Sequence, residues 1–276
     1  MLWPLALRGQ PAAVVSPPAD QELVERALAN ELRAAQDTSH PMRYTLRKTS
    51  PRLTTVKELV ETRDGLVARL ISVDGEPLSG SAEKKEQERL DSLLHDPGKQ
   101  RHRKQSEDQD AERALKVLRA LPTAFVYELA DAEASSGSPP GAIVKYSFRP
   151  NPSFDPPDLE TQTLTAMAGA IWIDRAHERV TRLEGSLQHD VDFGWGIFGR
   201  LDKGGSIVID QAQVNEQEWR TVHFQMKMSG RLLFRTRIFD TEEQESDFAP
   251  VPAGLDYQKG IELLRAGEGA PAENQR

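Results

Sequence analysis

From Ala124 to Phe248 the chain is a succession of short segments in which apolar and polar residues alternate, joined by connections too short for parallel neighbours. The segments with strand character are Phe125 to Leu129, Ile143 to Phe148, Ala170 to Asp174, Arg179 to Leu187, Gly196 to Leu201, Ser206 to Val214, Arg220 to Met228 and Leu232 to Phe239. The links Arg175-Ala176-His177-Glu178, Lys203-Gly204-Gly205 and Asn215-Glu216-Gln217-Glu218 are short and polar, whereas a parallel crossover takes about a dozen residues or more. Two loops, Ser135 to Gly141 and Pro150 to Pro157, are Pro-, Gly- and Ser-rich and cannot be regular. The pattern predicts an antiparallel meander of six or more strands.

Upstream, Val24, Leu28, Leu32 and Ala35 with Leu23 and Ala27 recur at helical spacing behind Asp20, which predicts an amphipathic helix over 20–36. Strand patterns follow from Met42, with Tyr44, Leu46 and Lys48 alternating against Arg43, Thr45 and Arg47. Hairpin signals stand at Asp64-Gly65 and Asp74-Gly75, and Pro77 closes the third strand. Residues 79–121 read as a charged helical insertion carrying Leu90, Leu93 and Leu94, then Leu115, Leu118 and Leu121. Ser106 with Gln109 has the spacing of a capping box for its second helix. The run Lys99, Arg101, His102, Arg103, Lys104 is followed by Glu107, Asp108, Asp110 and Glu112, which fits a solvated helical surface or a docking patch for anionic lipid or a partner.

In the last two strands Val222, Phe224, Met226 and Met228 share one face, opposite Thr221, His223, Gln225 and Lys227. By the same count Leu232, Phe234 and Ile238 lie together, with Arg231, Arg235 and Arg237 opposite. An antiparallel sheet with one apolar face needs a cover, and the helices at 20–36 and 79–121 are available. The fold class expected is α+β: a curved antiparallel half-barrel covered by amphipathic helices, with room for an apolar ligand between the layers.

Several function classes are excluded. The chain has no cysteine, so thiol nucleophiles, zinc fingers and disulfides are out. Its net charge of −8 argues against a broad nucleic-acid surface, and no apolar run reaches the roughly 18 residues of a membrane helix. The apolar start Met1 to Leu7, leading through Arg8 to Ala12 and Ala13, reads as a signal-peptide remnant or a Pro-punctuated tail over 1–19. Gly194-Trp195-Gly196-Ile197-Phe198-Gly199 matches a dinucleotide pattern, but strand residues follow it where a helix N-terminus is needed. His189, Asp190 and Asp192 alternate across a strand, so a polar strand end bonded to backbone amides is expected in place of a metal site. The other histidines lack ligand spacing, and no Gly-x-Ser-x-Gly elbow marks a hydrolase. No metal, cofactor or catalytic residue is assigned.

Ala170-Ile171-Trp172-Ile173-Asp174, a short turn and Arg179-Val180-Thr181-Arg182-Leu183-Glu184-Gly185 resemble the meander of bacterial outer-membrane lipoprotein-sorting proteins, the LolA-like periplasmic carriers. Ser246-Asp247-Phe248 before Val251-Pro252 is similar to that family's closing segment. Phe148-Arg149-Pro150-Asn151-Pro152 and Asp190-Val191-Asp192-Phe193-Gly194-Trp195-Gly196 resemble uncharacterised bacterial envelope proteins of the same shape. The resemblance covers residues 42–75 and 165–252. It implies a half-barrel wrapped around helices, a domain spanning 20–265 before a disordered tail at 266–276, and a periplasmic or cell-envelope location.

It further implies a non-enzymatic protein that binds lipid or lipoprotein acyl chains in an apolar cavity. The residues assigned to that cavity are Val222, Phe224, Met226, Met228, Leu232, Phe234 and Ile238. The alternative is a protein-interaction or sensor module with a self-filled core, whose outer face of Arg231, Arg235 and Arg237 meets an envelope protein.

Overall fold

A computed structural model describes residues 19–131, 142–193, 199–232 and 235–266. The expectations placed on residues 1–18, 135–141, 194–198, Phe234 and 267–276 lie outside the described residues. Helix α1 (Ala19–Gln36) precedes strands β1 (Met42–Ser50), β2 (Leu53–Val60), β3 (Val67–Val73) and the two-residue β4 (Glu76–Pro77). Helices α2 (Gly80–His95) and α3 (Pro97–Ala124) lead into β5 (Phe125–Asp131) and β6 (Ile143–Pro150). A short α4 (Leu159–Gln162) and a 3-10 turn, Thr163–Ala166, come before β7 (Met167–Asp174), β8 (Arg179–Leu187), β9 (Val191–Phe193) and β10 (Gly199–Leu201). Strands β11 (Ser206–Gln213), β12 (Trp219–Leu232) and β13 (Arg235–Pro250) and helix α5 (Tyr257–Ala266) complete the order.

The class is α+β, with one open sheet of 13 strands in the order β4-β3-β2-β1-β13-β12-β11-β8-β7-β6-β5, every pairing antiparallel. Strands β9 and β10 branch from the end of β12. Two of the junctions, β1 with β13 and β8 with β11, join strands distant in sequence. Asp74 and Gly75, with φ of 51° and 87°, make the tight turn that Asp-Gly announces.

Two cores sit on opposite faces of the sheet. In the first, Leu23, Val24, Ala27 and Leu28 of α1 pack with Leu121 of α3 and with Tyr146, Phe148, Ile171, Ile173 and Val180. In the second, Val60 and Val67 meet Leu90 and Leu93 of α2 and Tyr257, Ile261 and Leu264 of α5. Following the pairs from Ile207 through Met226, Thr241, Glu245, Leu46 and Lys57 puts Val60 and Val67 on the other side from the first core.

Helix α1 is pinned by a buried carboxylate that hydropathy did not single out. Glu31, 7% exposed, accepts bonds from Arg179 Nε at 2.8 Å and Nη2 at 3.1 Å, from the Val180 amide at 2.9 Å and from Gln211 Nε2 at 3.1 Å. The β8–β11 ladder ends at Arg182 and Asp210, so Glu31 takes up donors where the two strands part.

The second helix of the insertion starts ten residues earlier than the Ser106 capping box suggests. Asp96 accepts from the Gly98 and Lys99 amides at 3.0 and 3.2 Å with Pro97 at the first helical position. A proline that needs no amide partner and a carboxylate that caps two amides define a stronger start than a serine inside a helix-favouring run. Side chains of this helical pair also close the free edge of β3. The Leu66 amide donates to Glu107, the Ala68 carbonyl accepts from Arg89, and the Leu70 amide donates to Glu86. That satisfies an edge otherwise open to pairing with another chain.

Among the described residues, no helix is long and apolar enough to cross a membrane.

Candidate functional site

The face of β11, β12 and β13 continuous with the first core carries the apolar residues marked by their alternation. Phe224 lies between Ile209 and Glu243, Met226 between Ile207 and Thr241, and Met228 opposite Phe239. Val222 falls at the register shift between Asp210 and Gln211. Met228 and Ile207 pack against the first core, whereas Val222, Phe224 and Met226 are half-buried and belong to neither core. The structure therefore brings Phe224, Met226 and Met228 into one strip, of which Met228 packs against the first core.

The face assignment of the last strand is corrected. Strand β12 runs on to Leu232, which pairs with Arg235 across a two-residue connection. Such a hairpin sets even-numbered residues opposite odd-numbered ones, so an alternation counted straight through the turn inverts. Ile238 pairs with Ser229 on the opposite face from Phe224 and is 73% exposed, so it does not join the cavity set. Arg235 and Arg237 fall on the face of Met228, across from Leu232 and Gly230, while Arg231 pairs with Thr236 on the other. The three arginines are exposed but do not form one row. Phe234 and the side chain of Leu232 lie outside the described residues.

The strip ends in a polar cluster that the alternation did not reveal. Arg220 donates to Glu61 at 3.4 Å and to the His40 carbonyl at 2.7 Å, and its Nη2 lies 3.6 Å from Glu218; its Nε is buried without a partner. Glu61 also accepts the Met42 amide at 2.9 Å. Burial raises the Glu61 carboxyl above its ordinary range, against the opposing pull of Arg220 and the Met42 amide. Glu245 is pushed up to about 7 by burial, then by Glu243 and Glu61. Tyr44, stacked on Phe248 at 5.5 Å, has its phenol raised by burial and by the same carboxylates. These groups share no local motif. Glu243 and Glu245 sit in a run, Thr241 to Asp247, whose composition disfavours a strand. They adopt one because β1 pairs along the run and β12 pairs with it as far as Gln244, with Lys48 bonding Glu243 at 2.6 Å.

On the opposite face a polar row crosses the sheet. Lys145 lies over Trp172 at 4.8 Å and Arg182 at 5.8 Å; Arg182 bonds Asp210 at 2.5 Å, and Asp210 meets His223 at 2.9 Å. Cross-strand neighbours of this kind stabilise a sheet without implying chemistry.

Arg200 holds Asp190 at 3.2 Å and Asp192 at 2.7 Å, and Asp190 accepts the Lys203 amide at 2.8 Å, so the His189 region is a polar strand end. Gly199, the last glycine of the dinucleotide-like pattern, opens strand β10. Among the described residues no group of three or more His, Asp or Glu is arranged to hold a metal ion. Comparison with protein-family models, with curated proteins and with solved structures finds no match for this chain.

Proposed function

We propose that this protein is a non-enzymatic carrier of the cell envelope, one that binds lipid or lipoprotein acyl chains along the face formed by β11, β12 and β13. In this reading the sheet curves as a half-barrel around α1, and an acyl chain extends the first core across the half-buried residues of that face that belong to neither core. The observation that carries it is the position of Val222, Phe224 and Met226: apolar, half-buried and outside both cores. Each methylene moved from water onto such a surface contributes up to about 0.8 kcal/mol. Methionine adapts to chains of different shape, which suits Met226 and Met228 to this role.

The test is titration of the purified protein with a fluorescent fatty acid. Saturable binding is expected, weakened at least tenfold in Phe224→Asp and several-fold in Phe224→Ala, with circular dichroism establishing that both variants are folded. Undiminished binding in the folded variants, or no saturable binding by the wild type, overturns the assignment.

A further inference from the structure

At the other end of the same face, three cations from three different elements line a cleft of about 270 Å³ between β2, β3, α2 and α3. They are Lys57, Arg89 and Arg103, with Glu86 the one carboxylate and Ala68 and Leu70 forming the floor. One carboxylate against three cations leaves this lining at +2, in a protein whose net charge is −8.

The charges are only partly spent on one another. Glu86, 6% exposed, is committed to the Leu70 amide at 2.8 Å and to Arg89 Nε and Nη2 at 2.8 and 2.7 Å. Burial drives its carboxyl upward, but the Arg89 bonds, the Leu70 amide and the charges of Arg89 and Lys57 outweigh it and hold the group below its ordinary range. Arg89 is fixed in turn by its bond to the Ala68 carbonyl, so its guanidinium is oriented before any ligand arrives. Lys57 and Arg103 are half-buried and, among the described residues, take part in no hydrogen bond or ion pair. Arg103 acts electrostatically on Glu107 outside the cleft, a carboxylate already bonded to the Leu66 amide. Glu86, already bonded to Arg89, and Glu107, bonded to the Leu66 amide, are the acids whose charges offset Lys57 and Arg103, so the three cations stay under-compensated until an anion joins them.

We infer that this cleft is a binding site for a phosphate group, either free or carried as a monoester. The guanidinium fork of Arg103, the ammonium of Lys57 and the remaining Nη1 of Arg89, whose Nε and Nη2 are held by Glu86 and the Ala68 carbonyl, offer donors from three elements. That set suits a tetrahedral, doubly charged group better than a single carboxylate, which one fork would satisfy. A volume of about 270 Å³ is at the small end for ligand sites, sized for a phosphate head and not for a whole amphiphile. The pairs Phe224–Glu243, Glu243–Lys48 and Lys48–Thr55, with Lys57 two residues further along β2, put Lys57 three strands across from the apolar strip, on the order of 15 Å away. The site stands whether or not that strip holds an acyl chain.

The experiment uses the whole protein and the double variant Lys57→Gln/Arg103→Gln, which leaves Arg89, Glu86 and the closed edge of β3 in place. Calorimetric titrations with inorganic phosphate and with glycerol 3-phosphate are made at constant ionic strength against chloride. In parallel, co-sedimentation is measured with phosphatidylcholine vesicles with and without phosphatidic acid. Saturable binding of either soluble probe, weakened at least tenfold in the folded double variant, is expected. Binding to the phosphatidic acid vesicles alone, lost in the variant, also supports the site and identifies the phosphate as a lipid headgroup. Equal binding by wild type and variant, or no binding of any probe by the wild type, overturns it. Fatty-acid binding by the variant is measured alongside, so failure here is distinguishable from failure of the carrier reading.

Discussion

Replacing Glu31 by Ala removes the acceptor on which α1 is seated. The carboxylate is 7% exposed and satisfies four donors: two on Arg179, one on Gln211 and the Val180 amide. Its loss strands a largely buried guanidinium and an interior amide, and breaking one side of a buried ion pair costs about 3–5 kcal/mol. The contact of Arg179 with the Trp219 ring, at 5.6 Å, offers partial relief and places the expected loss near the lower limit, at about 3 kcal/mol. Glu31→Gln retains one oxygen, enough for the Val180 amide, and should cost about 2 kcal/mol. The assay is urea denaturation followed by circular dichroism, run as a double-mutant cycle with Arg179→Ala. A coupling energy of about 2 kcal/mol or more is expected between positions 31 and 179. A loss under about 1 kcal/mol for Glu31→Ala, with an unchanged denaturant slope, would refute the idea that this carboxylate holds the helix.

Other outcomes follow from the same structure. Glu245 has its folded-state pKa raised from 4.5 to about 7, so the folded protein binds more protons than the unfolded chain between those values. Stability should therefore fall as pH rises from about 4.5 to about 7 and level off above, by on the order of 3 kcal/mol from this group. Glu245→Gln should flatten that slope and stabilise the protein at pH 8 but not at pH 4, as chemical denaturation across the range will report. Asp96→Ala removes the cap on the Gly98 and Lys99 amides and should cost about 1 kcal/mol, with faster hydrogen exchange confined to the first turn of α3. An unchanged exchange pattern there would mean that Pro97 alone sets the helix start.

Much of the secondary structure is legible locally. Strand β8 has the limits expected from its alternation, Arg179 to Leu187, and the Asp-Gly turns fall where their conformational freedom is needed. Less was legible where long-range partners override local preference. The acidic half of β13 forms a strand only because β1 pairs along it and β12 pairs with it as far as Gln244, and the faces of Ile238, Arg235 and Arg237 depend on a hairpin whose length alternation cannot supply. Of the assigned cavity residues, Phe224, Met226 and Met228 are brought together because they share one strand, where a period of two is geometry.

What this sequence determines by itself is the local grammar: an amphipathic α1, short strands with short polar links, a cysteine-free and acidic composition, and the apolar alternation of β12. Tertiary structure alone decides which strands become neighbours, that Glu31 meets Arg179 across 148 positions, and that Glu61, Glu245 and Arg220 converge. It also gathers Lys57, Arg89 and Arg103 around one cleft. The physical reason is range. Dihedral preference and side-chain period act over a few residues, whereas the burial of charge is settled by the partner strands and helices that the whole fold delivers.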